Sequence, residues 1–82
     1  MKFTQNERIL QIKNETMVVG IDIGKETHYA RAFDQRGIEL AKLLRFSNTA
    51  QGYEALEYWM QNIMQQKQKT EVIVGFEPTG HY

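Results

Sequence analysis

Two acidic residues stand where divalent-metal chemistry is possible. Asp22 lies inside the short apolar run Met17-Val18-Val19-Gly20-Ile21-Asp22-Ile23, and Glu77 follows a second one, Val72-Ile73-Val74-Gly75-Phe76. An ionised carboxylate among Val18, Val19, Ile21 and Ile23 is expected to be buried, a costly state unless the charge is paired or binds a metal. The bland alternative is a strand-end Asp bonded to backbone amides of the following turn, Gly24-Lys25-Glu26-Thr27. Glu77 has its own bland alternative, as a first-turn helix residue favoured by the helix dipole. If the two runs are parallel neighbouring strands, both carboxylates come within reach of one Mg2+ or Mn2+. Such an ion takes one or two carboxylates plus waters and substrate phosphates. Two of them about 4 Å apart activate a water and stabilise the leaving oxygen in phosphodiester cleavage.

Other residues carry weaker signals. Gly20 and Gly75 flank the carboxylates, and glycine in a strand often marks close approach of a ligand or another backbone. For Gly24, turn geometry is the simpler account. Lys25, Thr79 and Gly80 are candidate nucleic-acid contacts, the last two because their amides could meet a phosphate at a helix N-terminus. His28 and His81 have no second His or Cys at ligand spacing. Tyr53, Tyr58 and Trp59 fit helix core and rim better than platforms for stacked bases. Lys42, Arg45, Lys67 and Lys69 fit a solvated face. The sequence holds no nucleophile constellation and no glycine-rich phosphate loop of the Walker type.

The elements that must position these residues follow from periodicity and turn chemistry. Residues 17–24 form a short β-branched run, apolar on both faces as a central covered strand should be. Residues 28–34 alternate Tyr29, Arg31 and Phe33 against His28, Ala30, Ala32 and Asp34, the period of a second strand. Asp34 followed by Gly37 is the chemistry of a type I turn closing a hairpin. Residues 38–46 then make a returning third strand, although Ile38, Leu40, Leu43 and Leu44 could also line a helix. Asn48 with Gln51 makes a capping box, and Tyr53, Leu56, Met60, Ile63 and Met64 form an amphipathic helical stripe. Lys67 and Lys69 suit its C-terminus, and residues 71–76 form the last strand. The reading is α/β, a mixed sheet built β-β-β-α-β. A right-handed crossover sets the last strand beside and parallel to the first, in the order 3-2-1-4. Residues 1–16 are expected to be an arm, and 17–82 the domain.

Composition bounds the rest. Eighty-two residues make one small domain, which buries only about 60% of its unfolded surface. The absence of cysteine excludes disulfides and thiolate zinc sites, and fits a reducing compartment. Ten basic and ten acidic residues balance, so any nucleic-acid binding must be local. No run is long enough to span a membrane, and the N-terminus lacks the apolar region of a signal peptide. A soluble, cytoplasmic protein is expected. The last strand would be an apolar edge, and Pro78 suits the first turn of a further helix. The sequence is therefore expected to be a piece of a longer domain.

The stretches GIDIGKETHYARAFDQRG, RFSNTAQGYEAL and VIVGFEPTGHY resemble the N-terminal part of the DEDD insertion-sequence transposases. These are the Piv/MooV-type recombinases, whose nuclease domain is similar to the RuvC Holliday-junction resolvase. The resemblance runs from about Met17 to Tyr82. It implies the first half of an RNase H-like (RuvC-like) fold with an Asp-Glu-Asp-Asp tetrad that binds divalent metal for DNA strand cleavage and transfer. Asp22 matches the first Asp and Glu77 the Glu; the other two lie further along in the family. By the same resemblance the longer protein is a metal-dependent enzyme acting on donor and target DNA. An oligomer and a guide RNA that bridges the two DNAs are its implied partners, and the bacterial nucleoid its place of action. These residues alone are expected to be inactive.

Two other classes of protein share part of this pattern. Actin-like ATPases and sugar kinases also open with a strand, a G-I-D-x-G turn and a hairpin. Here, however, Glu26 sits where an anion-binding turn would prefer no charge. The other rival is a non-catalytic binding module in which Asp22 is structural.

Overall fold

A computed structural model describes residues 12–78. The elements run β1 (Thr16–Ile23), β2 (Thr27–Phe33), β3 (Leu44–Ser47), α1 (Ala50–Gln66) and β4 (Glu71–Pro78). They form one four-stranded sheet in the order β3-β2-β1-β4. β1 pairs antiparallel with β2 and parallel with β4, and β2 pairs antiparallel with β3. The α/β fold, its element order and its strand order are those expected from the sequence.

The core lies on one face of the sheet. Met17, Val19 and Ile21 of β1, Ala30 and Ala32 of β2, and Phe46 of β3 meet Leu56 and Ile63 of α1. These strand residues are spaced by two and the helix residues by seven, so each element turns a single face inward. Val18, Gly20 and Asp22 therefore point away from the helix, as do their register partners Phe33, Arg31 and Tyr29 on β2.

The register of β1 on β4 is set at the start of both strands. The Glu15 carbonyl accepts from the amides of Thr70 (2.9 Å) and Glu71 (3.1 Å). The buried Thr16 hydroxyl donates to the Glu71 carboxylate at 3.1 Å. From Thr16↔Glu71 the pairing runs without a bulge through Gly20↔Gly75 to Asp22↔Glu77 and Ile23↔Pro78. Residues 13–16 are thus part of this junction, while most of the expected arm, residues 1–11, lies outside the described residues.

Three local expectations need correction. The third strand is short: of residues 38–46 only Leu44 onward forms ladder, and upstream there is one bridge, Phe33↔Glu39. Leu40 and the adjacent Ala41 both pack against the core, which a period of two forbids. The helix cap is Thr49, not Asn48, its Oγ1 accepting from the Gly52 amide at 3.0 Å. Asn48 instead donates its amide to the Glu26 carbonyl at 2.9 Å, which ties the helix start to the β1–β2 turn. Pro78 ends β4 opposite Ile23 rather than opening a helix, a place open to proline because β4 is the outer strand.

Two glycines are required by geometry. The Asp34–Gly37 turn forms as expected, with the Gly37 amide on the Asp34 carbonyl at 3.0 Å and Gly37 at φ +84°. A Cβ on Gly52 would lie 1.9 Å from the Ser47 carbonyl oxygen, because the first turn of α1 sits directly on the end of β3. Gly52→Ala is therefore expected to cost about 2–4 kcal/mol, read from the urea midpoint.

The Asp34 carboxylate is held by the turn that it closes. Its Oδ1 accepts from the Ile38 amide (2.9 Å) and the Arg36 amide (2.8 Å), and its Oδ2 from the Arg36 guanidinium (2.8 Å). The Ile38 amide foremost, with Arg36, lowers its pKa from 3.8 to about 2 against the opposing effect of burial. A carboxyl held below its ordinary pKa stabilises the fold above that ordinary value, and the contribution is lost as pH falls through the folded-state value. Between pH 3.8 and about 2 the unfolding midpoint should therefore drop further in the parent than in Asp34→Asn, as followed by circular dichroism.

Candidate metal centre on the sheet face

β1 and β4 bring Asp22 and Glu77 together. The two are register partners on adjacent parallel strands, so their backbones are about 4.8 Å apart and their side chains leave the same face. One step back along both strands on that face lie Gly20 and Gly75, again paired. With Arg31, Phe33 and Ile21 these four residues line a cleft of about 190 Å³. The carboxylates stand at one end of it, over a floor without side chains.

Asp22 is exposed, not buried. Its strand reads as apolar on both faces because the face turned from the helix carries Thr16, Val18 and Gly20 before it. Thr16 and Val18 are buried, but the protection stops short of Asp22. No desolvation cost therefore calls for a counter-ion, and the case for metal rests on the adjacency of two carboxylates. Glu77 is also exposed, and lies within the strand, which removes the helix-dipole account of it. Among the described residues no three His, Cys, Asp or Glu side chains gather into a metal-holding group.

Lys25 is exposed in the turn that follows β1, just beyond Asp22. Thr79, Gly80 and His81 lie outside the described residues. Sequence reasoning overlooked Arg31 and Phe33 as cleft residues. Their alternation on β2 was visible, but only the register Gly20↔Arg31 puts them on the face of Asp22.

His28 braces the turn from the other face. It is 2% exposed, and its Nδ1 accepts from the Gly24 amide at 3.1 Å. The ring packs edge-on to Phe46 at 5.2 Å and tilted against Tyr53 at 5.9 Å. An accepting Nδ1 places the proton of the neutral ring on Nε2, and Nε2 is buried without a hydrogen-bond partner among the described residues. His28 is thus a structural part of the turn that follows Asp22.

A family model described as a transposase matches residues 19–82. The chain belongs to the IS110-type DEDD transposases. The match takes in β1 from Val19 onward with Asp22, the hairpin, the helix and all of β4 with Glu77. No curated protein matches the chain. No observation favours the ATPase or the non-catalytic module over this transposase chain. None of its described helices is long and apolar enough to cross a membrane.

Replacing His28 by Phe removes two opposed terms, an accepted hydrogen bond and an unmet buried donor, each worth about 1–3 kcal/mol. Global stability should therefore change by less than about 1.5 kcal/mol, while amide exchange at Gly24 accelerates selectively. Uniform acceleration across β1 would show that His28 supports the core rather than the turn.

Proposed function

We infer that residues 17–82 belong to an RNase H-like catalytic domain in which Asp22 and Glu77 hold divalent metal for DNA strand cleavage and transfer. The observation that carries this reading is the Asp22↔Glu77 register on parallel strands, joined to the transposase family match. The donor set suits the group. Two carboxylates offer the hard oxygen ligands that Mg2+ and Mn2+ take, and the paired Gly20 and Gly75 put no side chain of their own on the cleft floor beside them. A metal ion held there supplies Lewis-acid stabilisation of a phosphoryl oxygen and an acidified water.

The chain's own residues then have distinct tasks. Asp22 and Glu77 supply two members of an acidic tetrad, whose other two carboxylates come from outside residues 12–78. The β1–β4 ladder fixes the separation of the first two, and His28 with the Glu26–Asn48 hydrogen bond holds the turn beyond Asp22. Lys25, Thr79 and Gly80 remain candidate contacts to the nucleic-acid backbone. By family resemblance the substrates are donor and target DNA, a bridging guide RNA and an oligomer are further partners, and the nucleoid is the place of action.

A Mn2+ titration of the chain followed by amide NMR tests the assignment. Broadening is expected around residues 20–24 and 75–78 together, and is abolished by Asp22→Asn and by Glu77→Gln. Broadening that survives both substitutions, or none localised at these strands, would show that the pair does not bind metal in this chain.

A further inference from the structure

The cleft is one end of a larger feature on the same face of the sheet. Asp22 pairs with Tyr29, and Tyr29 with Arg45 on β3. Register partners share a face, so Glu77, Asp22, Tyr29 and Arg45 form one row across all four strands. Arg31 lies two residues from Tyr29 along β2, about 6.8 Å away on the same face. Two guanidinium groups thus flank a tyrosine, beside the carboxylates.

All three side chains are accessible. Arg45 is exposed and no carboxylate among the described residues pairs with it. Tyr29 is 39% exposed. Arg31 contacts Glu39 at 3.1 Å, in a pair whose side chains are 51% and 37% exposed. A pair so solvated holds weakly, so a phosphate of a polyanionic strand, whose binding also releases counterions, can take the arginine from Glu39. Guanidinium groups are suited to phosphate, and an exposed aromatic between them offers a face to an unstacked base, the combination found where proteins grip single strands.

We propose that Arg31, Tyr29 and Arg45 seat a single DNA strand on the open face of the sheet and lead it to Asp22 and Glu77, with Glu39 as the competitor that occupies Arg31 in its absence. The direction of the strand rests on the metal-centre reading of those carboxylates; the seat itself does not. The neutral net charge of the chain makes the binding local, carried by these side chains and not by a general positive field.

The test is fluorescence anisotropy of the full chain with a short labelled oligothymidylate at low salt in EDTA, so that it succeeds or fails independently of the metal titration. Tyr29→Ala should weaken binding about tenfold, since stacking of a base on an aromatic is a major contribution to such affinities. Arg31→Gln and Arg45→Gln should each lower the slope of log affinity against log salt by about 0.7, while Arg→Lys at either position preserves it. Glu39→Gln should strengthen binding about two- to fivefold, the range set by release of an exposed ion pair. Amide spectra of the variants confirm that each retains the fold. Absence of binding by the parent chain, arginine variants with an unchanged slope, or weaker binding by Glu39→Gln would each overturn the proposal. A duplex bound more tightly than the single strand, with no loss on Tyr29→Ala, would overturn the stacked-strand geometry.

Discussion

The register of β1 on β4 is the constraint on which the rest of the molecule depends. Side chains alternate along a strand, so a slip of one residue would send Glu77 to the helix side and leave Asp22 alone on the other. What prevents the slip is remote from the carboxylates. Glu15 receives two successive amides at the entrance to β4, and the Thr16 hydroxyl meets Glu71. The apolar alternation of Val72, Val74 and Phe76 on one side of β4 and Ile73, Gly75 and Glu77 on the other then carries that choice along the strands. Placement of the acidic pair is decided six residues before the pair itself.

The two faces of the sheet divide the work. On one, Met17, Val19, Ile21 and Phe46 close on α1 and make the core. On the other, polar groups, glycines and arginines are presented without cost to that core. The division also explains the long linkage from the helix to the turn after Asp22. His28 and Phe46, paired across β2 and β3, meet the ring of Tyr53 of α1, tilted and edge-on respectively, and Asn48 at the helix start donates to Glu26. The turn next to the carboxylates is thereby anchored in the buried half of the molecule, although it lies beside the exposed half.

Much of this was legible in the residues. Turn chemistry at Asp34 and Gly37, the helical stripe from Leu56 to Ile63, and the handedness of crossovers together give the strand order and with it the Asp22–Glu77 neighbourhood. Capping was misassigned because Asn48 and Thr49 are both able caps, and only the tight seat of Gly52 on Ser47 selects the second. The burial expected for Asp22 failed for a different reason. On its face of β1 the sequence reads Thr16, Val18 and Gly20, and such a run looks the same whether a second layer covers all of it or only its beginning. Arg31 and Arg45 were likewise visible as residues but not as a pair, since their relation exists only through the pairings of β2 with both neighbours.

The paired glycines have a further consequence for selectivity. A depression made by two missing side chains has the backbone itself as its floor, and Gly20 lies in the middle strand, whose successive backbone groups are spent alternately in the ladders to β2 and β4. Such a floor has a shape but almost no chemical voice. It admits flat or slender groups and refuses bulk, yet it cannot tell one base or sugar from another by hydrogen bonding. Recognition of identity must then come from the walls or from another molecule altogether, and on the reading proposed above the floor itself would be indifferent to which strand is delivered to it.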